Sequence, residues 1–266
     1  MTALLSELQA LASSSTLWWF LVCVAVATVA QTLTGFAFAL VLLGLVALFD
    51  LASVADAANA SMVLTLVNAC TYLRHQATPP PLKLMAPTLA TSLLGVALGV
   101  AVLHWLHGQA AQALRGLLGL TIMGCALILV LRRGTRTQLS SPRSFAGIGL
   151  IAGMLSGLFS ASGPPLVFHL YRQPLEAEVI RRCLLLVFAV NASFRLVLVV
   201  ATGGFSVRAL VLSALALPLV LLVTRAVQRQ PWPMPARLLR GLVAGLLMLS
   251  GGSLTVMAAL ALRAPV

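Results

Sequence analysis

Residues 144–170, SFAGIGLIAGMLSGLFSASGPPLVFHL, form a run of 27 residues without a charged side chain, and this run decides the fold class. It is longer than the roughly 20 residues with which a helix crosses the hydrocarbon layer of a membrane. The sequence SGPP at 162–165 interrupts the run, and prolines do not continue a regular helix. A second long run, residues 16–49, is interrupted at Thr34 and Gly35. Both runs are therefore predicted to be broken or re-entrant segments.

The rest of the chain is equally apolar. Hydrophobic residues make up 61% and charged residues 8% of its 266 residues, whereas a soluble domain is about one quarter charged. Six further apolar segments are predicted to span a lipid bilayer, at 54–73, 85–105, 110–131, 183–202, 206–224 and 237–262. We predict an all-α polytopic membrane protein. Its net charge of +12 lies mostly in short connecting loops, which argues against nucleic acid as a partner.

Two pairs of short motifs indicate an internal repeat. LTGFAF at 33–38 resembles LSGLFS at 155–160, and VNAC at 67–70 resembles VNAS at 190–193. The glycine of the first motif precedes the asparagine of the second by 33 residues in one half and by 34 in the other. Equal spacing of this kind predicts two halves with the same sub-fold.

Charge distribution indicates how the halves are oriented. If both long runs return to the side they entered from, 13 Lys and Arg side chains collect on one face and three on the other. Counting eight plain transmembrane helices, which is the alternative, gives eight on each side. The positive-inside rule favours the first arrangement, with each broken segment followed by three transmembrane helices and the two repeats inverted. The predicted parts are a first repeat at 1–131, a basic cytoplasmic linker at 132–143 and a second repeat at 144–266.

The two breaks are the predicted substrate site. Unwound backbone at membrane depth is stable where it is buried in protein or lines a cavity, and transporters bind substrate at such breaks. A helix that restarts after a break also directs free amides and its positive dipole end at an anion. The candidates at the breaks are Gln31, Thr34, Gly35, Ser160, Ser162, Gly163 and Pro164. The alternative is that these Gly and Pro residues only ease helix packing.

Four further candidates occupy matching positions in the two halves. Asn68 and Asn191 lie inside apolar segments, where an amide side chain requires partners. Tyr72 and Arg195 each follow one of these asparagines by four residues and so share its helix face. We expect Arg195 with Asn191 to attract and orient an anion. The alternative for Arg195 is a side chain that extends to the membrane interface.

The sequence predicts neither an enzyme nor a metal or cofactor site. It lacks the GxSxG, HExxH and Walker A motifs, and its four cysteines lie in four different apolar segments. Asp50, Asp56, Glu176 and Glu178 are interpreted as solvated loop charges, because no carboxylate lies in the middle of an apolar segment. Proton or ion coupling and the oligomeric state are left open.

AQTLTGFAFALVLLGLVALFDL at 30–51 and GIGLIAGMLSGLFSASGPPLVFHLY at 147–171 resemble the sulfite exporter TauE/SafE family of membrane permeases. The second half carries the glycine-proline-proline sequence of that family. The resemblance implies a secondary transporter in the cell inner membrane that moves small sulfur-containing or organic anions, such as sulfite or sulfonates. We expect alternating access to one central site. A membrane scaffold or assembly protein without transport activity is the alternative.

Overall fold

The computed structural model describes most of the chain. The described residues are 15–76, 78–105, 111–130, 136–160 and 163–229, together with 241, 244, 245, 247–249, 251, 252, 255 and 256. All regular elements within them are helical. The first half contains α1 to α5, at Ser15–Thr34, Phe38–Leu48, Val54–Arg74, Leu82–Trp105 and Ala111–Val130. The second half contains α6 to α9, at Pro142–Phe159, Gly163–Tyr171, Ala177–Ala201 and Val207–Arg229.

Five of the described helices, α1, α4, α6, α8 and α9, are long and apolar enough to cross a membrane. Helix α2 is apolar but shorter, at 11 residues. Large hydrophobic side chains such as Leu94, Val197 and Leu222 are exposed on these helices, as expected for surfaces that contact lipid. The prediction of an all-α, multi-pass membrane protein is confirmed. The last predicted segment, 237–262, lies largely outside the described residues.

The first long run is divided into two helices at residues 35–37. Gly35 and Ala37 both have φ of +81°, the left-handed conformation that ends one helix before α2 starts. The Thr34 hydroxyl oxygen lies 2.6 Å from the carbonyl oxygen of Ala30 and 2.9 Å from that of Phe36, and its single proton is shared between these acceptors on the two sides of the break.

The second long run is divided after Phe159 and folds back on itself. The residues before α6 and after α7 meet: Ser140 N donates to Gln173 Oε1 (2.9 Å), and Arg136 N donates to the carbonyl oxygen of Arg172 (2.8 Å). One straight helix over the same 27 residues would be about 40 Å long and would separate these groups. We call the end of the molecule formed by 136–140 and 172–176 the linker face.

Helices α4 and α6 pack closely because both present glycines to their interface. A Cβ added at Gly153 would lie 2.1 Å from the carbonyl oxygen of Ser92, and one at Gly157 would lie 2.5 Å from that of Val96. Gly149 precedes Gly153 by four residues, which places all three α6 glycines on one face. Small residues at this spacing allow membrane helices to approach closely. The contact fixes the position of the α6 end, next to the second break.

Helices α3 and α8, which carry the two matching VNA sequences, pack against each other in antiparallel directions. Tyr72, near the end of α3, packs with Leu185 in the first part of α8. Met62, in the first part of α3, packs with Val199 near the end of α8. This antiparallel pair packs between other helices, with α9 against α3 and α4 against α8.

Each break packs on the long helix of the other half. A Cβ at Gly35 would lie 2.9 Å from the Cα of Arg181, the fifth residue of α8. Ser160 donates from its hydroxyl to the carbonyl oxygen of Ala58, the fifth residue of α3 (2.8 Å). The contacted residues, Arg181 and Ala58, therefore stand at equivalent positions of the two long helices.

The predicted start of the sixth segment was wrong. That segment was expected to begin at residue 183, whereas α8 begins at Ala177. The two arginines that marked the expected boundary have partners on the first half: Arg181 binds Tyr72 and Arg182 binds Thr78. Both guanidinium groups are thus hydrogen-bonded within the protein, and the helix extends through both residues.

Candidate functional site

A cavity of about 30 Å³ lies where α1, α2, α3, α6 and α8 meet, and we call it the Arg195 cavity. Its polar lining side chains are Gln31, Thr65, Ser156, Ser160 and Arg195. Its other lining residues come from the first break and the central helices, and are Phe36–Leu40, Met62, Phe188 and Ala192. A volume of this size accommodates about two water-sized groups. The cavity therefore fits a small solute.

Arg195 is the charged group of this cavity. Its side chain is only 2% exposed. Nε donates to the carbonyl oxygen of Gly157 (2.8 Å), while Nη1 lies 2.7 Å from Ser160 Oγ and 2.8 Å from Met62 Sδ. All three of these partner groups are uncharged. The one ion pair among the described residues joins Arg181 and Glu178, which do not line the cavity. A buried charge without a counter-charge is costly, so an anion in the cavity would stabilise it.

Ser160 ties the second break to the cavity. Its hydroxyl accepts a hydrogen bond from Arg195 and donates one to the carbonyl oxygen of Ala58. The residue has φ of +58°, and its N–H donates to the carbonyl oxygen of Ser156 (2.8 Å). Movement of the second break would therefore change both the Arg195 contact and the contact with α3.

Gln31 and Thr65 bring unpaired polar atoms to the cavity. Gln31 is fully buried, and neither its amide oxygen nor its amide nitrogen has a hydrogen-bond partner among the described residues. Thr65 Oγ1 also lacks one among them. Leaving such a group unsatisfied costs about 1–3 kcal/mol, and nearly all buried polar groups in proteins are paired. Both side chains are available to a ligand.

The start of α2 adds backbone donors. Its first three residues line the cavity, and its N-cap, Ala37, supplies no side-chain hydrogen bond. The first bond of the helix runs from Val41 N to the carbonyl oxygen of Ala37 (2.8 Å), so the amides of 38–40 have no acceptor within the helix. Helix α7 differs, because Pro164 and Pro165 at its start carry no N–H. Free backbone N–H groups were predicted at both breaks, and the structure places them at the first break, at the start of α2.

The two asparagines hold helices together outside the cavity lining. Asn68 Nδ2 donates to Thr32 Oγ1 and to Thr224 Oγ1, at 3.0 Å each, and so connects α3 to α1 and α9. Asn191 Oδ1 accepts a hydrogen bond from Ser92 Oγ (2.7 Å) and so connects α8 to α4. Of the two residues expected to orient an anion together, Arg195 lines the cavity and Asn191 lies outside its lining.

The remaining predicted residues lie around the breaks or at the linker face. Thr34 and Gly35 form the first break, and Gly163 and Pro164 begin α7. Tyr72 lies toward the linker face, where its hydroxyl donates to Glu178 Oε1 (2.7 Å). Ser162 lies outside the described residues. Glu178, expected to be a solvated loop charge, belongs instead to the first turn of α8.

Sequence reasoning did not identify Met62, Thr65 or Ser156 as cavity residues. Two of them were detectable from spacing alone: Thr65 precedes Asn68 by three residues, and Ser156 precedes Ser160 by four. Such pairs share a helix face. No group of three or more His, Cys, Asp or Glu side chains that could hold a metal ion occurs in the described part of the chain.

Broken helices whose ends meet at a small polar cavity in a helical membrane protein are typical of secondary transporters. The chain belongs to the sulfite exporter TauE/SafE family, whose model matches residues 20–254. It is 34% identical over 224 residues to the "Probable sulfite/organosulfonate exporter TauE" of Cupriavidus necator. The aligned region covers 84% of this chain and 88% of the relative. No solved structure was found that matches this chain. The family consists of transporters, which confirms the resemblance and the prediction that the chain is not an enzyme.

Proposed function

We propose that this protein is a secondary transporter of the cell inner membrane that exports small sulfur-containing or organic anions, with sulfite and sulfonates as the leading substrates. The family and the relative's name support the substrate class. The small volume of the Arg195 cavity supports a compact anion such as sulfite. Sulfonates with longer chains would require the cavity to open further.

The observation that carries the proposal is a buried guanidinium without a counter-charge beside unpaired polar groups. Arg195 supplies the positive charge, and Gln31 Nε2, Thr65 Oγ1 and the amides at the start of α2 supply hydrogen-bond donors. Dipoles together with one arginine favour an anion and still allow its release, which transport requires. In this proposal the substrate contacts Arg195, Gln31 and Ser160 directly.

The other predicted site residues act by shaping the site. Thr34 and Gly35 form the first break and Gly163 and Pro164 follow the second, so they place the helix ends. Asn68 and Asn191 hold α3 and α8 in position through Thr32, Thr224 and Ser92. Ser162 belongs to the second break by sequence.

Two inverted repeats, 1–131 and 144–266, are proposed to produce alternating access. The antiparallel packing of α3 on α8 supports this, as does the contact of each break with the fifth residue of the other half's long helix, Arg181 or Ala58. Rocking one half against the other would expose the Arg195 cavity to each side in turn. The basic character of the linker, 132–143, supports a cytoplasmic linker face.

The test is uptake of radiolabelled sulfite by proteoliposomes that contain the purified protein. We expect saturable uptake by the wild type and by Arg74→Gln, a control that removes an exposed arginine at the end of α3. Arg195→Gln should reduce uptake at least about tenfold, because hydrogen bonds to charged groups are worth about 1.5–3 kcal/mol. No saturable uptake of sulfite or any sulfonate by the wild type would contradict the proposal and favour a membrane scaffold.

A further inference from the structure

A second guanidinium and hydroxyl pair lies at the linker end of the central helices, and a carboxylate occupies it. Arg181 Nη1 donates to the hydroxyl oxygen of Tyr72 (3.1 Å) and lies 3.2 Å from Glu178 Oε2. The Tyr72 hydroxyl in turn donates to Glu178 Oε1 (2.7 Å). Glu178 therefore receives a charged donor and a hydroxyl donor, one on each carboxylate oxygen. A bound oxyanion would require the same two donors.

This cluster is close to the Arg195 cavity. Gly35 packs against the backbone of Arg181, and the next residue, Phe36, lines the cavity. Along α8, Phe188 of the cavity follows Arg181 by seven residues, which corresponds to about 10 Å. The first break thus separates the cluster from the cavity. An anion that leaves the cluster toward the membrane centre meets the cavity next.

The cluster and the Arg195 site are built at equivalent positions. Tyr72 and Arg195 both follow a matched asparagine by four residues, and Arg181 and Ala58 are both the fifth residue of their helix. Both arginines belong to α8: Arg181 is its fifth residue, at one end of the α3 and α8 pair, and Arg195 follows Asn191 by four residues, toward the other end. Each end of the α3 and α8 pair consequently has one guanidinium with a hydroxyl group beside it.

We propose that Arg181 and Tyr72 form an entry site for the oxyanion on the linker face, and that Glu178 is a tethered carboxylate that competes with the anion for this site. The inference rests on the proposed function, since it concerns how the transported anion reaches the Arg195 cavity. Glu178 keeps Arg181 neutralised while no substrate is present. An arriving anion displaces the carboxylate into water and takes over its two donors.

The exposure of the two side chains permits such an exchange. The Glu178 side chain is 41% exposed and that of Arg181 is 28% exposed. Ion pairs this close to solvent contribute about 0–1 kcal/mol, so little is lost when the carboxylate leaves. A fully buried pair would hold Glu178 too firmly to be displaced.

The experiment measures uptake of radiolabelled sulfite by inside-out membrane vesicles, in which the linker face meets the label. Glu178→Gln removes the competing charge and should lower KM about two- to fivefold while the maximal rate is unchanged. Arg181→Gln should raise KM. The double variant should show the KM of Arg181→Gln, because removal of the competitor gives no gain without the arginine. Glu176→Gln is the matched control, because Glu176 is exposed and its side chain makes no cap hydrogen bond.

An unchanged or higher KM in Glu178→Gln, with saturable uptake by the wild type, would overturn the inference and leave the proposed function intact. A lower maximal rate with unchanged KM in both single variants would also overturn it, because the cluster would then be a structural latch. Absence of saturable uptake by the wild type would overturn the proposed function, and the inference with it.

Discussion

Arg195 places a fixed positive charge inside the membrane without a carboxylate beside it. Its partners are a carbonyl oxygen, a hydroxyl and a thioether, which accept hydrogen bonds but do not neutralise the charge. The chain has five acidic residues, and none of the four that the structure describes lines the cavity. The electrostatics of the cavity therefore favour an anionic solute.

A carboxylate placed beside this charge should act as a built-in inhibitor. We predict that Gln31→Glu strongly reduces uptake of methanesulfonate at neutral pH, because the new carboxylate pairs with Arg195 in the small cavity that both residues line. Uptake should recover as pH falls, because protonation removes the negative charge and leaves a side chain of nearly the same shape. Methanesulfonate keeps its own charge over this range, so the pH profile reports on the protein.

The matched control for this substitution is Gln76→Glu, which makes the same change just after α3 and outside the cavity lining. We expect its uptake and pH profile to match the wild type. Equal uptake by Gln31→Glu and wild type at neutral pH would contradict the position given to Gln31 beside the substrate.

Single residues were predictable from the sequence where their own chemistry is unusual. Arg195 was predicted from its charge inside an apolar run and Gln31 from its place beside the first break, and both line the cavity. The contact of Asn191 with Ser92 was not predicted, because spacing defines only the helix face that Asn191 shares with Arg195. Its partner Ser92 comes from α4, 99 residues away.

At the scale of helices, local breakers and close glycine contacts position the site. The breaks at 35–37 and after Phe159 were predictable, because glycine, proline and serine act on the backbone around them. The start of α8 was not, because it depends on partners that Arg181 and Arg182 find on other elements. The glycines of α6, at 149, 153 and 157, indicate close helix packing by their spacing alone, but this packing was not predicted.

Substitution of one of these glycines should loosen the α4 and α6 contact. We predict that Gly153→Ala lowers the thermal stability of the protein in detergent, at a cost of about 1–3 kcal/mol, because the added Cβ would meet the backbone of Ser92. Gly147→Ala is the control on the same helix, since a Cβ there meets nothing within 4 Å. Equal melting temperatures for the two variants would contradict the close packing of α4 on α6.

At the scale of the whole molecule, the arrangement depends on the second hairpin returning to the linker face. The contacts of Ser140 with Gln173 place the two ends of the hairpin together. Charge counting favoured this arrangement, because thirteen basic side chains then share one face. Eight plain helices would instead place 138 and 174 on opposite sides of the membrane.

Single cysteines introduced into a variant without the native cysteines can distinguish the two arrangements. We predict that Gln138→Cys and Pro174→Cys react with a membrane-impermeant maleimide in inside-out vesicles only, and that Thr202→Cys reacts in right-side-out vesicles only. All three positions are exposed. Labelling of Pro174→Cys from the side opposite to Gln138→Cys would contradict the hairpin. Labelling of Pro174→Cys and Thr202→Cys from the same side would contradict a membrane-spanning α8.

The most direct test of the central claim is equilibrium binding of radiolabelled sulfite to the purified protein, measured without oxygen for the wild type, Arg195→Gln and Arg74→Gln. The Arg195 cavity predicts saturable binding by the wild type and Arg74→Gln, with affinity at least about tenfold weaker in Arg195→Gln. Equal affinity in all three proteins would contradict an anion site at Arg195.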